Sequence, residues 1–337
     1  MPNLDLSALD GYKYTGHSGN AWEDISDGKL GQGGQGSVNR VWCDRLKMIG
    51  AMKKIATKRD PEQARARFDQ ELNALSEIQH PCVVKLLDYG HDPIPFIVTQ
   101  VAEYGSLRRH VALLKNDTWR TLRIARDAAL GLACLHENQF VHRDVKPDNI
   151  LLLSLSHAAI GDLGVVRYVN DAVALPKSPS LTKTDESVGN TRFAPPEFFS
   201  DDDRPKATFA FDVFGLGAVV HAVLSGKTDT RRAYGMRESY ISLCDTLKDS
   251  NFSGIDRLLE KMMSHNPSKR PTMREVIDSL DELLNQRYSG GCPSCGRLDS
   301  ERIGSYRQVY SESPNQSPNK NVTITMYRCR CGRFDFR

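Results

Sequence analysis

Apolar and polar positions change their rhythm twice along this chain. Near the N-terminus, Ser37-Val38-Asn39-Arg40-Val41-Trp42 alternates like a half-buried strand, and the glycine-rich run 30–38 before it reads as strand, tight turn and strand. From 61 to 79, Phe68, Leu72, Leu75 and Ile78 recur at three- and four-residue steps, which predicts a helix with one apolar face. Pro61 suits its first turn. Residues 218–224 are almost wholly apolar, the composition of a helix buried on all sides. Further helical patterns cover 255–263 and 272–284. The strand rhythm returns at 302–310 and 322–327, around a Ser-, Pro- and Asn-rich loop at 311–320. The expected class is α+β: a β-rich first part, a larger helical second part and a small β appendage.

Polar residues gather where these elements end. The run 141–151, Val-His-Arg-Asp-Val-Lys-Pro-Asp-Asn-Ile-Leu, packs an acid, a cation and an amide into one loop between apolar residues. Asp144 can take a proton from a hydroxyl, Lys146 can neutralise a migrating phosphoryl group, and Asn149 can hold a metal ion, a set that suits phosphoryl transfer. Gly31, Gly33 and Gly36 let backbone N–H groups approach phosphate oxygens with no Cβ in the way. A strand follows them, whereas a dinucleotide-binding turn requires a helix. On the strand at 50–55, Lys53 and Lys54 point to opposite faces, so only one can reach a nucleotide.

Taken in order, these segments resemble eukaryotic-type (Hanks-type) serine/threonine protein kinases over about residues 28–288. The resemblance implies a bilobal fold, with a small β-rich lobe carrying the C helix and a larger helical lobe. It also implies ATP and Mg2+ as cofactors and a protein substrate with a Ser or Thr acceptor. By this likeness Lys53 holds the nucleotide phosphates and Lys54 is a solvated lysine. Glu71 is the C-helix partner of Lys53, with Glu62 and Glu77 left as solvated charges. Gly31, Gly33, Gly36, Val38 and Ala51 line the nucleotide site, Gln100 to Ala102 form the hinge, and Thr99 controls access behind the adenine. Asn149 and Asp162 hold Mg2+; Leu163 stands where the family has Phe. Glu197 is expected to pair with Arg270, and Asp212 to tie down the catalytic-loop backbone. Asn190 departs from the usual Thr near the catalytic Asp and Lys. Arg143 can pair with a phosphate on the activation segment, where Ser178, Ser180, Thr182, Thr184 and Ser187 are candidates for autophosphorylation. A non-catalytic scaffold would have lost one of the essential polar groups, and none is lost. A small-molecule kinase would generally lack the Ala194-Pro195-Pro196-Glu197 element.

Length and composition add boundaries. The chain has 337 residues and is 39% hydrophobic, enough for one two-lobed domain and an appendage. The expected division is a flexible lead-in at 1–20, the catalytic domain at 21–288 and a small domain at 289–337. No apolar run reaches the roughly 20 residues needed to span a bilayer, and the N-terminus lacks a secretion pattern, so a cytoplasmic location is expected. Nothing in the pattern specifies an oligomeric state.

Of eight cysteines, Cys43, Cys82, Cys134 and Cys244 are scattered. Cys292 with Cys295, and Cys329 with Cys331, form two pairs on Gly-containing turns that can converge on Zn2+. The appendage thus resembles a zinc ribbon, although its second pair has one intervening residue instead of two. A disulfide is the alternative, disfavoured in a reducing cytosol. Residues 290–337 carry eight Lys/Arg against four Asp/Glu, so a basic surface could dock nucleic acid or an acidic protein.

Overall fold

The computed structural model describes residues 12–33, 36–55, 61–115, 117–164, 166–168, 193–199, 208–226, 243, 253–286, 300–310, 320–329 and 334–336. A six-stranded sheet forms the first lobe, in the order β1-β2-β3-β4-β6-β5. Its strands are β1 (Lys13–Thr15), β2 (Ala21–Gly33), β3 (Gly36–Cys43), β4 (Met48–Ile55), β5 (Leu86–Gly90) and β6 (Phe96–Thr99). All neighbouring pairs are antiparallel. Between β4 and β5 runs helix α1 (Pro61–Glu77), which buries Phe68, Glu71, Ala74 and Leu75 and leaves Glu62 and Glu77 exposed.

The second lobe is built on α3 (Thr118–Glu137), preceded by a 3-10 turn at Leu107–His110 and the short α2 (Val111–Leu114). Asp117 caps α3 by accepting from the Arg120 N–H at 3.1 Å. Small hairpins follow: β7 (Phe140–Val141) pairs with β10 (Arg167–Tyr168), and β8 (Ile150–Ser154) with β9 (His157–Ile160). Helices α4 (Phe209–Ser225), α5 (Ser253–Met262) and α6 (Met273–Gln286) complete it. The apolar run expected to be a core helix is α4, buried from Phe211 to Ser225. One hydrophobic cluster runs from α1 through the seam to α6. Gly131 on α3 permits the closest approach at that seam, since a Cβ there would lie 2.2 Å from the Cys82 carbonyl oxygen. Polar ties reinforce it. The His157 ring nitrogens face the Asp127 carboxylate at 2.9 Å and the Pro81 carbonyl at 3.1 Å, and β9 bonds back to the 82–84 segment through Ile160.

A second cluster covers the opposite face of the sheet: Tyr14, Trp22, Val41, Cys43, Met52, Ile94, Phe96 and Val98. It brings two corrections to the sequence reading. Residues 12–20 are not a loose lead-in; Tyr14 is fully buried on β1. The turn after β1 is held by Asp88, which accepts from Ser18 Oγ at 2.6 Å, the Ser18 N–H at 3.2 Å and the Trp22 indole at 2.9 Å. Lys54 is likewise no solvated lysine. It is 4% exposed, donates to Asp24 at 2.5 Å, and lies 4.4 Å from the centre of the Tyr14 ring. Such a buried charge must be paired, because an ammonium removed from water without compensation costs several kcal/mol.

A separate three-stranded antiparallel sheet ends the chain, β11 (Ser300–Tyr310), β12 (Lys320–Cys329) and β13 (Phe334–Phe336), in the order β11-β12-β13. The two strands expected there are present and longer, and β13 is additional. Among the described residues no helix is long and apolar enough to cross a membrane.

Replacing Lys54 by Met strands the Asp24 carboxylate beneath Tyr14. Chemical denaturation is expected to show a loss of about 3 kcal/mol, the usual scale for removing one partner of a buried pair. A loss below about 0.5 kcal/mol, the scale of an exposed pair, would show that the Lys54–Asp24 pair is not buried in solution.

Candidate active site

Strand register brings the glycine-rich hairpin over the cleft. Gly33 pairs with Gly36 at its tip, and Val38 on β3 lies opposite Lys53 on β4. Gly36 adopts φ +143°, a conformation that glycine reaches without a Cβ clash. Residues 34 and 35, at the tip, lie outside the described residues. Ala51, two residues before Lys53 and therefore on its face, pairs with Thr99 at the end of β6. Beyond Thr99 the chain leaves the sheet. The Gln100 N–H donates to the Lys85 carbonyl and the Ala102 carbonyl accepts from Gly105, which folds 100–105 into a connector between the lobes.

Lys53 is the junction of three elements. Its Nζ donates to Glu71 Oε2 on α1 at 2.7 Å and to Asp162 Oδ1, just beyond β9, at 2.6 Å. Burial works against the charged amine, yet Asp162 and Glu71 together hold its pKa above the ordinary lysine range. Burial also opposes ionisation of Asp162, but the nearby Lys53 ammonium outweighs it and depresses that carboxyl to about 2. The site therefore contains one buried cation between two carboxylates. Glu71 is the partner of Lys53, while Glu62 and Glu77 lie on the exposed side of α1.

Asp144, Lys146 and Asn149 meet in the loop after β7. Lys146 Nζ lies 2.6 Å from Asp144 Oδ2, and Asn149 Nδ2 donates to the Asp144 carbonyl at 2.8 Å and to Oδ2 at 3.0 Å. With its amide nitrogen committed, Asn149 keeps its side-chain oxygen for another ligand. Its backbone carbonyl accepts from the Gly161 N–H at 2.9 Å, which sets Asn149 beside the Asp162 segment. An ionised carboxylate and an amide oxygen are the hard donors that Mg2+ takes. Burial raises the Asp144 pKa, against the pull of Lys146.

The backbone of this loop is held in uncommon geometry. Arg143 has φ +68° and Asp162 φ +56°, in the left-handed region that non-glycine residues seldom occupy. Asp212 on α4 holds the first, accepting from the His142 and Arg143 N–H groups, each at 2.8 Å. His136 on α3 adds a third contact to the same carboxylate at 2.8 Å. His142 holds the second. Its Nδ1 accepts from the Asp144 N–H, so its Nε2 carries the proton that it donates to the Gly161 carbonyl at 3.0 Å. Leu163, fully buried, packs in the main core. Sequence reasoning missed His136, a lone histidine with no local signal. His142 was visible only as a neighbour of Asp144.

The Glu197–Arg270 pair forms as two parallel bonds of 2.6 and 2.7 Å. Asn190 and the five activation-segment hydroxyls lie outside the described residues, as do Cys292, Cys295 and Cys331; Cys329 is the last residue of β12.

A glycine hairpin, a Lys–Glu–Asp junction and an Asp–Lys–Asn loop, brought together where the sheet meets the helical part, define a two-lobed phosphotransfer fold. The chain belongs to the protein kinase family: the model described as "Protein kinase domain" matches residues 25–280. Among similar proteins, the serine/threonine-protein kinase PknD of Mycobacterium tuberculosis is 30% identical over 253 residues, covering 72% of this chain and 36% of the relative. The probable serine/threonine-protein kinase PBL4 of Arabidopsis thaliana is 26% identical over 338 residues, covering 90% of this chain and 79% of the relative. LysM domain receptor-like kinase 10 of Oryza sativa subsp. japonica is 29% identical over 315 residues, covering 92% and 46%. The chain thus spans about a third of the length of the mycobacterial relative.

The buried Asp144 sets a pH limit. A raised pKa means that the carboxylate is lost at a higher pH than for an ordinary aspartate near 3.9. Asp162, held near 2, stays ionised throughout that range. A profile of kcat/KM against pH is expected to show its acid limb above the ordinary aspartate range; a limb at or below it would contradict the assignment of Asp144 as the buried base.

Proposed function

We propose that this protein transfers the γ-phosphoryl group of ATP to Ser and Thr hydroxyls of protein substrates. The observation that carries the reading is the Lys53 ammonium shared between Glu71 and Asp162, facing a loop in which Asp144 is hydrogen-bonded to both Lys146 and Asn149. The names of its relatives as serine/threonine kinases support the acceptor class. ATP bound with Mg2+ would supply the phosphoryl group and the positive charge that offsets its phosphates.

Everything else falls to the chain. Gly31, Gly33 and Gly36 offer backbone N–H groups over the phosphates, with Val38 and Ala51 beside them. The Gln100 to Ala102 backbone receives the adenine edge, with Thr99 behind it. Lys53 orients the α- and β-phosphates, fixed by Glu71. Asp162 and the Asn149 side-chain oxygen would hold the metal. Asp144 orients the acceptor hydroxyl and takes its proton, and Lys146 draws off charge developing on the transferred group. Dependence on ATP argues for a cytoplasmic site of action. Arg143, beside Asp144, is suited to receive a phosphate placed on the 178–187 segment by autophosphorylation.

The reading extends to residues 289–337 as a zinc ribbon. In the sequence Cys292 and Cys295 precede β11, Cys329 ends β12, and Cys331 follows two residues later. Cys329 pairs in register with Ser300, five residues after Cys295. Four sulfur donors suit tetrahedral Zn2+. A domain this small gains much of its stability from the metal. Its basic composition suits docking to an acidic protein, with nucleic acid as the second reading.

Replacing Asp144 by Ala is expected to abolish ATP-dependent phosphorylation of protein substrate and of the chain itself, with circular dichroism unchanged. Transfer at the wild-type rate would refute the assignment. For the ribbon, elemental mass spectrometry of the purified full chain is expected to find one zinc per chain, lost when Cys292 and Cys295 are both replaced by Ser. Zinc-free wild-type protein would remove the ribbon and leave the kinase reading standing.

A further inference from the structure

The 3-10 turn Leu107–His110 is firmly anchored, and two consecutive arginines reach out of it in different directions. Leu107 is buried in the main core, Ser106 bridges to Leu151 on β8, and the His110 ring meets the Tyr104 carbonyl at 2.8 Å. Arg108 turns to the catalytic loop. Its N–H donates to the Pro147 carbonyl at 3.1 Å and its Nε to Asp148 Oδ1 at 2.6 Å, between Lys146 and Asn149. Arg109 turns to the other lobe. Its Nη2 donates at 3.2 Å to the Leu30 carbonyl, the residue before Gly31, on the strand that leads into the glycine hairpin.

The path of Arg109 is cleared by its surroundings. Gly105 has φ +69°, and a Cβ there would sit 3.3 Å from the Arg109 side chain. The guanidinium therefore lies across bare connector backbone, and its stem needs no bulky neighbour to move aside. A second arginine spans the same mouth: Arg40 on β3 pairs with Glu103 of the connector at 2.9 Å. That contact joins strand to connector, whereas the contact of Arg109 joins the glycine-rich strand to the helical lobe through this turn.

We infer that Arg108 and Arg109 form a two-armed clasp, in which Arg109 positions the glycine hairpin over the nucleotide and Arg108 positions the loop that meets the acceptor protein. Both are positioning residues, acting through Leu30 and Asp148. The inference rests on the kinase reading above. Because one turn carries both arms, closure over the nucleotide and readiness of the acceptor loop share a rigid support.

The arms should fail separately. In the full chain, Arg109→Ala is expected to weaken binding of a fluorescent ADP analogue and raise KM for ATP about threefold to tenfold, the scale of one net hydrogen bond. Its kcat and its KM for a generic acceptor such as casein should stay within twofold. Arg109→Lys, which can still donate to a carbonyl, should recover part of the loss. Arg108→Ala should raise KM for casein and leave ADP affinity within twofold. Unchanged ADP affinity in Arg109→Ala, or equal shifts of both parameters in both variants, would overturn the clasp. Either result with wild-type transfer intact leaves the kinase reading untouched. No ATP-dependent transfer to casein by the wild type would instead count against that reading, and ADP affinity would still report on Arg109.

Discussion

One ammonium group between two carboxylates sets the relation between the lobes. Lys53 comes from the sheet, Glu71 from α1, and Asp162 from the segment after β9. In a medium of low polarity none of the three tolerates isolation, since a single buried charge without a partner is far costlier than the assembled set. The sheet, the helix and the second lobe are therefore held to one mutual placement by charge pairing as much as by apolar packing. Asp162, kept ionised by Lys53, is the carboxylate that a divalent cation would meet there.

Charge alone does not shape the loop that faces this junction. Arg143 and Asp162 both sit in left-handed backbone, which costs roughly 1–3 kcal/mol each for residues with a Cβ. The surrounding structure supplies fixed partners for each: Asp212 accepts both N–H groups at 142 and 143, and His142 reaches across to the carbonyl before Asp162. Asp212 is itself fully buried on a helix that is apolar along most of its length. A carboxylate there is sustained because His136 and two backbone donors replace the water it lost. The turn with Arg108 and Arg109 extends the same logic outwards, using a well-packed support to aim polar groups at parts of the cleft that have no packing of their own.

How much of this was legible in the sequence depended on the range of the interaction. Glycine spacing, the apolar face of α1 and the apolar run of α4 are local, and they located the hairpin, α1 and the core helix. The Lys53–Glu71 and Glu197–Arg270 pairs are distant in sequence and became visible only through family resemblance. Helix α3 left little periodic trace because it is buried on several sides, with Trp119, Leu122, Ile124, Ala128 and Leu132 all inside. Lys54 was misread for a related reason. Alternation along β4 shows that it faces away from Lys53, but not that Tyr14, some forty residues earlier, covers that face. A three-residue strand such as β1 has almost no signal of its own and is ordered by Asp88, far along the chain.

That covering hairpin bears on where the folding unit starts. The family match begins at residue 25, yet Tyr14, Ser18 and Trp22 lie before it and close the far side of the sheet. A fragment starting at residue 25 would lack Asp24 and so strip Lys54 of that partner, remove three of the donors that Asp88 holds, and bare Met52 on β4 and Phe96 on β6. Poor solubility in such a truncated protein would then reflect a missing wall rather than a defective catalytic centre.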